Sequence, residues 1–77
     1  MRLRSPTDID RQIGARIRLY RNVRGYTQER LAKAVGITFQ QLQKYELAKN
    51  RISASRLWEV CSVLRIPIAL MFQGVGL

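Results

Sequence analysis

Residues 27–46 read TQERLAKAVGITFQQLQKYE, and how this stretch folds decides how the rest of the chain must fold. Its apolar residues recur at helical rather than alternating spacing. Thr27 supplies the hydroxyl of a helix N-cap, with Gln28 and Glu29 in the first turn and Leu31, Ala32 and Val35 on one side. Gly36 ends that run. Thr38 then opens a second helix, with Gln41 three positions on in the spacing of a capping box, and turns Leu42 and Tyr45 inward.

Helices this short do not persist alone in water. Two of them joined by Gly36 and Ile37 make sense only when packed against each other, which is a helix-turn-helix. Each residue type fits that geometry: Ala32 is small where the helices cross, Gly36 tolerates the positive φ of the turn, and Val35, Ile37, Leu42 and Tyr45 anchor the pair to a core.

The flanking sequence reads as the rest of that core. A first helix begins at Ser5, Pro6, Thr7 and Asp8, where a hydroxyl, a proline and an early carboxylate suit a helix start, and it runs to about Arg24. Its inward stripe is Ile9, Ile13, Ile17 and Tyr20, with Arg11, Arg18 and Arg21 on other faces and Gly25 as a left-handed stop. A fourth helix from Ser53 carries Leu57, Val60, Cys61 and Leu64 at i, i+3, i+4 and i+7. A brief fifth starts near Pro67, in a segment, residues 66–72, that is apolar nearly all round. The expected architecture is all-α: a compact five-helix domain over residues 8–72, preceded by a basic arm, 1–7, and followed by a flexible tail, 73–77.

Seventy-seven residues suit one domain with one core and a slim stability margin. Apolar residues form 47% of the chain but no run approaches the roughly 20 needed to span a bilayer. The start of the chain, MRLRSP, is basic with no apolar segment behind it, so no secretion signal is expected. The lone Cys61 cannot form an internal disulfide and, at the centre of an apolar stripe, reads as inert core rather than a redox sensor. A cytoplasmic location is expected.

The net charge of +9 points to a polyanionic partner. It is uneven: residues 1–24 hold seven Arg and two Asp, whereas residues 53–77 hold two basic side chains and one acidic. Arg2 and Arg4 add polyanion attraction at the N-terminus. A membrane surface fits poorly, because an interfacial helix needs a broad apolar face that Ile9 to Tyr20 spend on the core. With no His, no metal-ligand cluster and no glycine-rich phosphate loop, neither an enzyme nor a metal or other cofactor is expected.

With its inner face consumed by packing, the second helix of the motif shows Thr38, Phe39, Gln40, Gln43 and Lys44 to the outside. Gln can present a paired donor and acceptor to adenine, Lys can donate to guanine, and Phe or a Thr methyl can meet the thymine methyl, so these are the expected base contacts. Gln28 and Gln41, then Lys49, Asn50 and Arg51 beyond the helix, are the expected phosphate contacts.

Arg21, Gly25-Tyr26-Thr27-Gln28, Leu31-Ala32, Val35-Gly36, Leu42, Tyr45-Glu46, Leu57, Leu64, Ile66 and Met71 together resemble the Cro/C1-type, or xenobiotic-response-element, family of helix-turn-helix proteins. The likeness runs from Ile13 to about Phe72. It implies a lambda-repressor-like five-helix fold, double-stranded DNA as partner, transcriptional repression as function and a bacterial or phage-like, nucleoid-associated protein. It also implies an ion pair between Arg21 and Glu46, phosphate contact by the same Arg21, and base contact by Phe39, Gln40 and Lys44. Two positions depart from the family pattern. Ala48 replaces a usual Gly, moving the expected turn toward Asn50, and Arg65 replaces a Gly or small residue.

One helix reading four or five base pairs has little specificity, whereas a two-fold dimer on a palindromic operator multiplies it. Trp58, Ala69 and Leu70, apolar where polar residues would serve, are the expected homodimer contacts. The alternative reading is an antitoxin-like helix-turn-helix module whose partner is a protein.

Overall fold

The computed structural model describes residues 6–75 of the chain. Residues 1–5 of the basic arm, with Arg2, Arg4 and the Ser5 cap, and the last two residues of the tail lie outside the described residues, whereas Pro6 and Thr7, also assigned above to the arm, begin α1. Four α-helices follow in order, α1 (Pro6–Val23), α2 (Gln28–Val35), α3 (Phe39–Glu46) and α4 (Ala54–Leu64), and a short 3-10 turn, Ile68–Met71, follows them. No strand occurs among the described residues.

The fifth helix expected from Pro67 is therefore not an α-helix. Its bonds run from residue i to i+3, Leu70 N–H to Pro67 C=O at 3.0 Å and Phe72 N–H to Ala69 C=O at 3.1 Å. Pro67 offers no side-chain cap, and four residues are too few for a stable α-helical turn without one. The turn is instead fastened from outside by α1. Arg16 Nη1 donates to the Leu70 carbonyl at 2.6 Å and Gln12 Nε2 to that of Met71 at 3.2 Å. The Gln73 carbonyl, assigned above to a flexible tail, accepts from both side chains, at 3.0 and 2.8 Å.

Side-chain hydroxyls start α2, α3 and α4. Thr27, Thr38 and Ser53 each accept from the backbone amide three residues on, at 3.1 Å. All four helices finish in the same way, with an amide reaching back five residues. The pairs are Tyr26 to Arg21, Ile37 to Ala32, Lys49 to Lys44 and Ile66 to Cys61. That closure needs a left-handed residue just before the donor. Gly25 and Gly36 supply it at φ 74° and 84°, and Ala48 and Arg65 at φ 57° and 56°. The chain after α3 thus turns at Ala48 itself, not at Asn50. The geometry that a glycine would adopt freely is imposed there on an alanine.

The core lies where α1, α3 and α4 meet α2 and the 3-10 turn. Ile17, Leu31, Leu42, Val60, Leu64 and Met71 are fully buried at its centre. Cys61 is buried among them, and loss of solvent pushes its thiol pKa up, so the thiol stays protonated and unreactive. Phe39, expected to face outward, is half-buried and packs against this core.

α1 and the end of α3 approach each other closely. Gly14 is buried, and a Cβ there would stand 2.5 Å from the Tyr45 carbonyl oxygen and 2.7 Å from that of Glu46. Only a hydrogen fits. Backbone therefore lies on backbone where α1 supports α3.

Candidate nucleic-acid interface

α3 presents a flat polar face because its apolar positions are spent on the core. Leu42 is fully buried and Tyr45 is 8% exposed. Thr38, Gln40, Gln43 and Lys44 are exposed. Gln40, Gln43, Lys44 and Leu47 follow i, i+3, i+4 and i+7 and share one face. Leu47, missed by the sequence reading, is 56% exposed at the end of that face. The helical spacing from Gln40 would have found it.

Of the expected base contacts, the fold thus leaves Thr38, Gln40, Gln43 and Lys44 outward and Phe39 only partly so. Gln41 takes part in half a capping box. Its amide donates to Thr38 Oγ1, but its side chain does not return to the Thr38 amide; Nε2 donates instead to the Tyr45 hydroxyl at 2.9 Å. That bond satisfies a phenol otherwise left unpaired at the core edge. It also draws Gln41, proposed above for phosphate, toward Tyr45 on a half-buried side of the helix.

A buried charge network holds the end of α3. Arg21 Nε donates to Glu46 Oε2 at 2.8 Å and Nη2 to Oε1 at 3.2 Å, a two-pronged pair in which each residue is 8% exposed. Arg21 Nη1 donates to the Tyr26 carbonyl at 2.9 Å and to Asn22 Oδ1 at 3.2 Å. Gln28 Nε2 donates to the same Glu46 Oε1 at 3.1 Å. One carboxylate therefore joins the end of α1, the start of α2 and the end of α3. No buried side-chain polar atom among the described residues lacks a partner, which is the condition for a buried pair to fix geometry rather than disrupt it.

Above this network, between the end of α1, the first turn of α2 and the outer face of α3, lies a cleft of about 480 Å³. Arg18, Thr27, Gln28, Gln43 and Leu47 line it. Gln28 is thus brought beside α3, whereas Lys49, Asn50 and Arg51 sit exposed on the loop beyond it. Arg51 is partly engaged, with Nε 3.0 Å from Asp10 Oδ2 of α1. Lys44 and Lys49 are exposed, and no carboxylate is paired with either among the described residues.

The proposed dimer residues belong to α4 and the 3-10 turn rather than to α3. Trp58 on α4 is 63% exposed. Ala69 is exposed and Leu70 half-buried on the 3-10 turn, with Ile68 and Phe72 exposed beside them. None of the described helices is long and apolar enough to cross a membrane.

Two short capped helices joined by the left-handed Gly36, each with one side buried in the core and the other exposed, define a helix-turn-helix domain. Comparison with known proteins places it more closely. The chain belongs to the Cro/C1-type helix-turn-helix family, which matches residues 17–71. It is 46% identical over 70 residues to an HTH-type transcriptional regulator of Sinorhizobium medicae, covering 91% of this chain and 50% of that protein. A transcriptional regulator in the ATPase CF(0) region of Rhodospirillum rubrum is 45% identical over 67 residues, or 87% of this chain and 62% of that protein. The chain thus spans about half the length of the first of these relatives. Among solved structures, the clp gene regulator ClgR of C. glutamicum superposes with a TM-score of 0.80 at 26% identity, over 83% of each chain. SinR, the master regulator for biofilm formation, solved in complex with DNA, gives a TM-score of 0.74 at 29% identity over 79% of this chain and 98% of that one.

Proposed function

We propose that this chain is a sequence-specific, double-stranded DNA-binding transcriptional regulator that lays α3 in the major groove. The observation that carries this reading is the exposed face of Gln40, Gln43 and Lys44 on a helix whose other sides are locked by Leu42, Tyr45 and the Arg21–Glu46 pair. A recognition helix needs that combination, since a donor misplaced by an ångström loses its base.

In this reading Thr38, Gln40, Gln43 and Lys44 meet base edges, and Phe39 offers the exposed part of its ring to a thymine methyl. Gln28 and the first amides of α2 meet phosphate on one side, and Lys49, Asn50 and Arg51 on the other. The likeness to SinR, which was solved in complex with DNA, supports it. So does the net charge of +9. We further propose a homodimer on a palindromic operator, acting as a repressor in the cytoplasm, with Trp58 and Ala69 at the subunit contact and Leu70 beside them.

The test is selection of duplexes from a random pool, followed by titration of the recovered sequence against a shuffled one between 50 and 200 mM salt. A DNA-binding regulator yields a symmetric site and loses orders of magnitude in affinity across that range. The exposed Trp58 and Phe72 equally suit a protein partner. A domain serving only such a partner would enrich no sequence and respond little to salt.

A further inference from the structure

The geometry points to Arg18 as a further residue of α1 that touches a DNA phosphate, beside Arg21, whose donors are mostly spent on positioning α3. This inference rests on the DNA-binding reading above and assigns a contact within that same interface.

Arg21 has little left to offer. A guanidinium carries five N–H donors, and in Arg21 bonds to Glu46, Tyr26 and Asn22 occupy Nε and both terminal nitrogens. With 8% of the residue exposed, a phosphate would have to displace the Glu46 carboxylate to gain a two-pronged grip. That exchange would leave Glu46 buried and unpaired, which is costly.

Arg18 sits one turn earlier and is exposed. No ion pair or hydrogen bond holds its guanidinium among the described residues, unlike Arg16, Arg24, Arg51 and Arg56 around it. It lines the cleft with Gln28 and Gln43, so it stands between the amides that begin α2 and the reading face of α3. It follows Gly14 by four residues and shares that side of α1. The backbone contact at Gly14 therefore sets the side of α1 that carries Arg18 toward α3.

The charges of the cleft leave Arg18 as the cation without a match. Glu46 is neutralised by Arg21. Glu29, the other carboxylate lining the cleft, lies in the first turn of α2, where the positive end of the helix offsets it. An anion drawn to this place meets the free guanidinium of Arg18 and the side-chain amide of Gln28.

The experiment titrates the duplex recovered by selection, and a shuffled duplex, with wild-type protein and the variants Arg18→Gln, Arg18→Lys and Arg65→Gln from 50 to 400 mM salt. Arg65 is an exposed cation at the far end of α4 and controls for the change in net charge. Loss of one phosphate contact should flatten the salt slope of Arg18→Gln by about 0.9, equivalent to roughly eightfold weaker binding at 0.1 M. Both duplexes should suffer alike, Arg18→Lys should keep the slope, and Arg65→Gln should leave it unchanged. An Arg18→Gln slope equal to that of Arg65→Gln overturns the assignment, as does a change in base preference. If the wild type itself neither prefers the recovered duplex nor responds to salt, the DNA-binding reading falls and this inference with it.

Discussion

Ala48 and Arg65 each hold a left-handed backbone at φ near +57° that their side chains disfavour by about 1–2 kcal/mol. Glycine removes that penalty but makes the unfolded chain freer by roughly 0.5–1 kcal/mol. Ala48→Gly and Arg65→Gly are therefore each expected to stabilise the domain by about 0.5–1 kcal/mol, read as a higher denaturant midpoint at unchanged m-value. Gly14 is the opposite case. Its missing Cβ leaves room for the carbonyls of Tyr45 and Glu46, and Gly14→Ala is expected to cost about 1–3 kcal/mol or more by overpacking. The same melts decide it: an unchanged midpoint would mean that α1 and α3 can part without loss. Neither Ala48 nor Gly14 advertises its role. A left-handed cap is visible in sequence when glycine fills it, and here another residue does. A close approach is visible only once the helices have docked.

At the scale of elements the sequence was far more legible, because helix signals are local. Thr27 and Thr38 are readable as caps and do cap, and Ser53, readable as a helix start, caps as well; the stripe of α4 is the buried set Leu57, Val60, Cys61 and Leu64. The fifth element was misread because residues 66–72 are apolar without a period, so nothing in them distinguishes an α-helix from a 3-10 turn. The outer face of α3 was likewise legible except at its edges. Phe39 and Gln41 turn partly inward for contacts with the core and with Tyr45, and these depend on tertiary packing. Within α3, Lys44→Ala is expected to change the preferred sequence, at about 1–3 kcal/mol for a guanine contact. Lys49→Ala, on the loop, should weaken all duplexes alike and flatten the salt slope by about 1. Identical effects of the two would refute this division of roles. Glu46→Gln probes the junction of α1, α2 and α3. It leaves the Arg21 charge buried without its counterion and should cost about 3–5 kcal/mol. A circular-dichroism melt close to that of the wild type would show the pair to be dispensable.

For the whole molecule the relevant quantities are charge, margin and assembly. A chain this short buries about 60% of its unfolded surface on folding, so any of the larger losses above could unfold it. Its basic side chains favour a polyanion over self-association on the α3 face. The proposed association would use the exposed Trp58 of α4 and Ile68, Ala69 and Phe72 of the 3-10 segment. Trp58→Glu is expected to turn a dimer into a monomer in sedimentation at micromolar concentration. It should also reduce affinity for a symmetric site while sparing a half-site. Two monomeric proteins with equal affinities would place the subunit contact elsewhere. The backbone contact at Gly14 has a mechanical consequence for all of this. Most helix pairs meet through side chains that can shift rotamer and let one helix tilt, but at Gly14 α1 and α3 meet backbone on backbone, with no side chain between them at that point. The reading helix is in effect rigidly mounted on its handle. Where an operator departs from the shape this domain presents, the DNA must do the bending, so sequence steps that bend easily should contribute to recognition at positions that no side chain touches.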